Sequence, residues 1–203
     1  MMGPGQTNRP RENPPTGLPA SVGTNAALPT TAVTAQTILQ GFTKLSDGVI
    51  EMTLPVGVTI QQAGKLLNLA AKDKRMEWPV FCEGNEDFWL TNEAIEDFRT
   101  EPGRTYRLKI PTDSVSKTKS EQVRDHGEGA PLGIVCLAEA CERYNTENKG
   151  TLFKDASGTN VWVRGSAPGV ALNSRSGGVG VGRGDDELRG FIVAFASLVS
   201  ARN

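Results

Sequence analysis

Residues 59–71 read TIQQAGKLLNLAA and contain the clearest helix signal in the chain. Thr59 and Gln62 have the spacing of a capping box, in which the side chain of each residue bonds the backbone N–H of the other. Apolar residues follow at helical spacing, and these are Ile60, Ala63, Leu67 and Ala70. The stretch therefore predicts a helix that begins after Thr59 and ends near Ala71.

Residues 104–110 read RTYRLKI and alternate between apolar and basic side chains. Tyr106, Leu108 and Ile110 fall on one face of an extended chain. Arg107 and Lys109 fall on the other face, and this period of two is the pattern of a half-buried strand. The stretch therefore predicts a strand with its apolar face in the core.

The remaining elements mix helices with short strands. Helices are predicted at 31–41, 92–98, 132–144 and 185–199, and strands at 49–54, 80–82, 88–90, 152–153, 161–163 and 170–172. The last helix has Asp185 as its N-cap and is apolar on most sides from Phe191 onward, so we expect it to be buried. Because the order of the elements shows no regular βαβ rhythm, the sequence predicts an α+β fold with short antiparallel strands.

Proline, glycine and polar residues divide the chain into an arm and a domain. Residues 1–30 contain six of the 12 prolines and show no hydrophobic period, so they cannot bury enough apolar surface to offset their ordering entropy. We expect a flexible Pro/Gly-rich N-terminal arm at 1–42 and a single compact α+β domain at 43–203. Within the domain, 111–131 predicts a long polar loop that is either functional or disordered.

Charge and cysteine content exclude several classes of protein. The 203 residues include 22 basic and 23 acidic side chains, which argues against binding nucleic acid or anionic lipid over the whole surface. Three cysteines, Cys82, Cys136 and Cys141, cannot form a fully paired disulfide framework and indicate reduced, mostly buried thiols. The sequence shows no signal-peptide core and no apolar stretch of the roughly 20 residues that span a bilayer. We therefore expect a cytoplasmic or virion location.

Side chains suited to catalysis or metal binding are sparse. His126 is the single histidine, which excludes two-histidine zinc sites, and it falls in the predicted loop, where a catalytic group would lack rigid support. Cys136 and Cys141 have a spacing that suits neither a redox pair nor a metal clamp. The glycines at 178–184 match no dinucleotide or P-loop pattern and predict a flexible turn or tight backbone packing. No catalytic residue, cofactor or metal is predicted.

Two sets of residues are candidates for binding. Basic side chains could form a local phosphate-contacting patch, and the candidate set is Lys72, Lys74, Arg75, Arg104, Arg107 and Lys109. Apolar side chains of the predicted C-terminal helix could contact another copy of the chain, and this set is Phe191, Ile192 and Phe195.

These features favour a non-enzymatic, self-assembling structural protein, such as a virus coat protein or another oligomeric subunit. In this interpretation the chain's partner is itself, and the arm and the C-terminal helix make the contacts between copies. A nucleic-acid-binding regulatory protein that uses the basic patch is one alternative, although acidic residues are interleaved with the basic ones. An enzyme of an unidentified class is another alternative.

Overall fold

The compact unit of the chain begins at Val33. The computed structural model describes residues 33–82, 103–175, 177–183 and 193–199, and contacts along the chain separate Met1–Ala32 from a compact unit at Val33–Asn203. The sequence predicts this boundary at residue 43. The earlier start is explained by Ile38, which lies in a helix at Ala35–Gln40 and is fully buried in the core. For the residues before Val33, the flexible arm stays a prediction.

Helices and short strands are intermixed, and the fold is α+β as predicted. In the described ranges the helices are α1 (Ala35–Gln40), α2 (Ile60–Asp73), α3 (Lys119–His126) and α4 (Leu132–Asn145). One antiparallel sheet consists, in spatial order, of β1 (Phe42–Lys44), β2 (Ile50–Thr53), β3 (Thr105–Lys109) and β8 (Ser197–Leu198). The other sheet consists, in spatial order, of β6 (Gly178–Arg183), β5 (Val170–Arg175), β4 (Trp162–Arg164) and β7 (Val193–Phe195).

The two stretches with the strongest local signals fold as predicted. Thr59 caps α2 and forms both capping-box bonds, from Gln62 N to Thr59 Oγ1 at 3.2 Å and from Thr59 N to Gln62 Oε1 at 2.9 Å. In β3, Tyr106 and Leu108 are buried whereas Arg107 is partly exposed. Local sequence is sufficient for both elements because capping and alternation act between near neighbours in the chain.

Helix α4 is the central element of the core and confirms the helix predicted at 132–144. Every residue from Leu132 to Arg143 is buried, and the helix packs against α2 and against β2, β5 and β6. Helix α4 thus contacts both sheets. A helix covered in this way can keep polar side chains only if they find partners inside the core.

The segment predicted as a long polar loop, 111–131, contains α3. The prediction that this segment is a loop throughout is therefore wrong. Thr118 caps α3 and forms a capping box with Glu121, the T-x-x-E pattern that starts a helix. The hydrophobic period does not reveal this helix because its one apolar residue, Val123, is 42% exposed. The capping pattern was the available signal.

Polar contacts hold α3 on the domain. Lys119 Nζ donates to the carbonyl oxygens of Ser166 and Ala167 at 2.9 and 2.7 Å. Gln122 is buried, and its Nε2 donates to Ser114 O at 2.8 Å. Because these partners lie far away in the sequence or outside the helix, the position of α3 depends on the tertiary structure.

The predicted C-terminal helix is wrong where the structure describes it, because Val193–Phe195 and Ser197–Leu198 are strands. Strand β7 pairs in parallel with β4, and β8 pairs antiparallel with β3. Between them, Ala196 N donates to Arg164 O and Ala196 O accepts from Ala130 N, both at 2.8 Å. An apolar run this short fits a buried helix or a buried strand equally well by periodicity. The segment forms strands because its backbone pairs with backbone groups of both sheets.

The other predicted elements have mixed outcomes. The strands predicted at 49–54, 161–163 and 170–172 correspond to β2, β4 and β5, and the helix predicted at 31–41 corresponds to α1. Phe81 forms an isolated parallel bridge with Val179, and 152–153 is irregular. The glycine-rich stretch is packed tightly in β6, where a Cβ on Gly182 would lie 2.6 Å from the Trp162 ring. The strand predicted at 88–90 and the helix predicted at 92–98 lie outside the described residues.

Candidate functional site

The outer side of α2 carries exposed apolar side chains. Leu69 is 58% exposed, and Val56, which precedes the helix, is 73% exposed. Leu66 lies one helical turn before Leu69 and borders a groove of about 380 Å³, whose lining is Val33, Gly57, Val58, Gln62, Lys65 and Leu66. We name this surface the α2 face and define it by Val33, Val56, Val58, Leu66 and Leu69.

The α2 face follows from the helical period of α2. The residues that α2 buries include Ile60, Ala63, Leu67 and Ala71. With about 3.6 residues per turn, Leu69 falls on the opposite side and Leu66 beside it. Single exposed apolar residues need no explanation, but a group of them beside an apolar groove is typical of a binding surface. This surface is absent from the predictions made from the sequence, although a leucine pair outside the buried stripe was its signal.

Three of the six predicted nucleic-acid contacts lie at the C-terminal end of α2: Lys72, Lys74 and Arg75. Lys74 Nζ lies 3.1 Å from Glu147 Oε1 and 4.9 Å from the centroid of the Tyr144 ring. The hydrogen bond from Lys74 lowers the pKa of the Glu147 carboxyl. Lys74 is therefore engaged by its own chain, and a phosphate would have to compete with Glu147.

The other three predicted contacts lie in or next to β3: Arg104, Arg107 and Lys109. Arg104 and Arg107 line one groove of about 460 Å³, and Glu128 belongs to the same lining. Arg107 Nε lies 3.0 Å from Glu51 Oε1, and the Arg104 guanidinium lies 4.8 Å from the centroid of the Tyr106 ring. We name this groove the β3 groove; its guanidinium groups are accompanied by carboxylates, so its charge is mixed.

Among the residues predicted to contact another copy, Phe195 lies in the interior of its own chain. Its side chain is fully buried, and its backbone N–H donates to Ser114 Oγ at 3.0 Å. Phe191 and Ile192 lie outside the described residues. The structure thus places Phe195 in a strand that contributes to the core and not on a surface.

Glu139, Arg143 and Ser174 form a buried polar cluster, which we name the Glu139 cluster. All three side chains are buried, Glu139 completely. Ser174 Oγ donates to Glu139 Oε1 at 2.5 Å and accepts from Arg143 Nη1 at 2.9 Å. Leu152 N donates to Glu139 Oε2 at 2.6 Å, and Arg143 Nη2 lies 3.5 Å from Pro79 O. The cluster therefore connects α4 to β5 and to two irregular segments.

Burial dominates the acid–base properties of the Glu139 cluster. Loss of water raises the pKa of the Glu139 carboxyl from 4.5 to about 7, although hydrogen bonds from Ser174, Thr151 and Leu152 act in the opposite direction. Burial also lowers the pKa of Arg143. This cluster is absent from the predictions made from the sequence, and its signal was an acid and a base four residues apart in an otherwise mostly apolar helix.

The cysteines are mostly buried thiols, as predicted. Cys136 and Cys141 are buried and Cys82 is partly exposed, and burial raises the pKa of the Cys136 and Cys141 thiols. His126 ends helix α3, and its Nε2 lies 3.8 Å from Asp113 Oδ1. That distance is too long for a hydrogen bond.

Known kinds of site and known relatives give no further guidance. In the described ranges, no group of three or more His, Cys, Asp and Glu side chains could hold a metal ion, and no helix has the length and apolar character to cross a membrane. Comparisons with protein-family models, with curated proteins and with solved structures give no match to this chain. The α2 face, the β3 groove and the Glu139 cluster are therefore the candidate sites of this chain.

Proposed function

We propose that this protein is a non-enzymatic, self-assembling structural subunit of a virus coat or a similar oligomeric assembly, with a cytoplasmic or virion location. The observation that carries the proposal is the α2 face, where Val56 and Leu69 are both more than half exposed and Gly57 and Leu66 line an apolar groove. Covering either side chain with a second copy would contribute about 1–2 kcal/mol, in proportion to the area removed from water.

In this proposal the α2 face takes the place of the predicted C-terminal helix as the contact surface of the folded unit. Phe195 is used in the interior, so it offers no surface to a partner without unfolding. The predicted N-terminal arm adds further contacts between copies. A Pro/Gly-rich segment gains order only where a partner supplies the apolar surface that it lacks.

Size-exclusion chromatography with light scattering tests the proposal on the full chain and on two variants. Leu69→Glu places a charge on the α2 face, so we expect a smaller oligomer at the same protein concentration. Val123→Glu is the matched control, because Val123 is also exposed but lies on α3, and we expect the oligomer of the unchanged chain. A monomeric full chain, or equal effects of the two variants, would refute the α2 face as the contact surface.

A chain that lacks residues 1–30 separates the contribution of the arm from that of the α2 face. If both contribute, the oligomer weakens in the truncated chain and weakens further when Leu69→Glu is added. An unchanged oligomer after truncation would remove the arm from the proposal and leave the α2 face in place.

A second candidate function is nucleic-acid binding through the β3 groove. It is favoured by Arg104 and Arg107, which line the same groove beside Tyr106. Binding of single-stranded DNA, followed by fluorescence anisotropy, should then weaken steeply with salt because phosphate contacts release counterions. The double variant Arg104→Ala/Arg107→Ala should lower the affinity and the salt slope, whereas Lys65→Ala on α2 should change neither. Equal affinities for all three chains would exclude this function for the groove.

A further inference from the structure

The Glu139 cluster joins parts of the fold that are far apart in the sequence. Both carboxyl oxygens of Glu139 accept hydrogen bonds, one from Ser174 on β5 and one from the backbone of Leu152. On the other side of the cluster, Arg143 contacts Ser174 and lies 3.5 Å from Pro79 O. A change of charge at Glu139 would therefore alter the hydrogen bonds that connect the cluster to β5, to Leu152 and to Pro79.

The surroundings of Glu139 contain little charge to balance a carboxylate. In the part of the chain that the structure describes, Arg143 is the cation that acts on it, and it reaches the carboxylate through the Ser174 hydroxyl. From the same helix, the Cys136 thiol is a further titratable group, and Glu139 contributes to raising its pKa. The neighbouring segments supply uncharged donors, namely the hydroxyl groups of Ser174 and Thr151 and the N–H of Leu152.

We propose that Glu139 is a buried proton switch that weakens the folded core when it loses its proton. With the carboxyl protonated, the Glu139 cluster carries no negative charge, and Arg143 remains between Ser174 and Pro79. Loss of the proton to solvent leaves a carboxylate that hydrogen bonds from Ser174, Thr151 and Leu152 and one relayed cation stabilise incompletely. The carboxylate attracts Arg143 and weakens its contact with Pro79 O, so the segment after α2 loosens.

The sign of the resulting pH dependence follows from linkage. Since the folded-state pKa of Glu139 is raised from 4.5 to about 7, its contribution to stability is fully present below pH 4.5 and is lost as the pH rises through 7. Asp125 acts in the opposite sense at low pH, because hydrogen bonds from Arg124 and Lys117 lower its pKa to about 2. Comparing the pH dependence of stability of the unchanged chain with that of a Glu139 variant separates the contribution of Glu139 from the contributions of such groups.

The direct test is an NMR titration of the full chain. The ¹³C shift of the Glu139 carboxyl and the ¹H shift of the Leu152 amide should change together, with a midpoint near pH 7. Joint titration at the pH of an ordinary, solvent-exposed glutamate would overturn the proposal. This measurement needs no variant, so it decides the question even if a Glu139 variant fails to fold.

Urea unfolding between pH 5 and pH 8 tests the consequence for stability. In the unchanged chain, Glu139 should lower the folding equilibrium constant on the order of 100-fold between pH 5 and pH 8. In Glu139→Gln this part of the pH dependence of stability should be absent. Glu142→Gln is the matched control, because Glu142 lies on the same helix and forms an ion pair with the half-exposed Lys44. Equal slopes in all three chains would show that Glu139 does not control stability.

Discussion

Replacing Asn68 with alanine should destabilise the fold more than any other single amide truncation on α2. Asn68 is 6% exposed, and its side chain acts as the partner of a short extended segment. Asn68 Oδ1 accepts from Phe81 N at 2.9 Å and from Val80 N at 3.1 Å, and Asn68 Nδ2 donates to Phe81 O at 2.7 Å. On its other side the segment pairs with β6, through Cys82 N to Val179 O at 3.0 Å and Val179 N to Val80 O at 3.1 Å.

The magnitude follows from the three hydrogen bonds that Asn68→Ala removes. Phe81 N–H and C=O each lose a bond to the Asn68 amide, and Val80 N–H loses its bond to Asn68 Oδ1. A buried polar group without a partner costs about 1–3 kcal/mol. Some water will reach groups this close to the surface, so we expect a total loss of about 3 kcal/mol. That is a large part of the about 5–15 kcal/mol that typically stabilises a domain.

The assay is urea unfolding followed by circular dichroism, at one fixed pH. Gln61→Ala is the matched control, because it removes an amide from a partly exposed position of the same helix, and we expect a change within about 0.5 kcal/mol. If Asn68→Ala costs no more than Gln61→Ala, the three hydrogen bonds do not hold the segment as argued.

Three further predictions concern packing, capping and thiol reactivity. Gly165→Ala places a Cβ 2.2 Å from Ala130 O, whereas the Cβ of Gly177→Ala has no atom within 4 Å. Thermal unfolding should show a loss of stability of about 1–3 kcal/mol for Gly165→Ala and none for Gly177→Ala. Equal melting temperatures of the two variants would contradict the packing argument. Thr118→Ala removes the cap of α3 and should lower the free energy of unfolding by about 1 kcal/mol, measured by urea unfolding. An unchanged free energy of unfolding would mean that the capping box does not hold the helix. A thiol reagent should label one cysteine per native chain, Cys82, because burial raises the pKa of the Cys136 and Cys141 thiols. Cys82→Ser should abolish the labelling. Continued labelling of this variant would show that another thiol is accessible.

The sequence alone determined those elements whose signals act between near neighbours. The capping box at Thr59 and Gln62 and the apolar stripe behind it specify α2. The alternation around Tyr106 and Leu108 specifies β3 and the face that it buries. These signals are sufficient because a cap and a period of two each depend on residues only a few positions apart.

Only the tertiary structure decided the elements that depend on distant partners. The apolar run that ends at Leu198 became two strands because β3 and β4 offered backbone groups for pairing, although the run itself also fits a helix. Helix α3 has its only apolar residue exposed and is held through Lys119 and Gln122. The same holds for Glu139, whose acid–base behaviour is set by burial and by a serine brought to it from β5. Periodicity records which residues prefer the interior, but it does not record which distant backbone or polar groups meet them there.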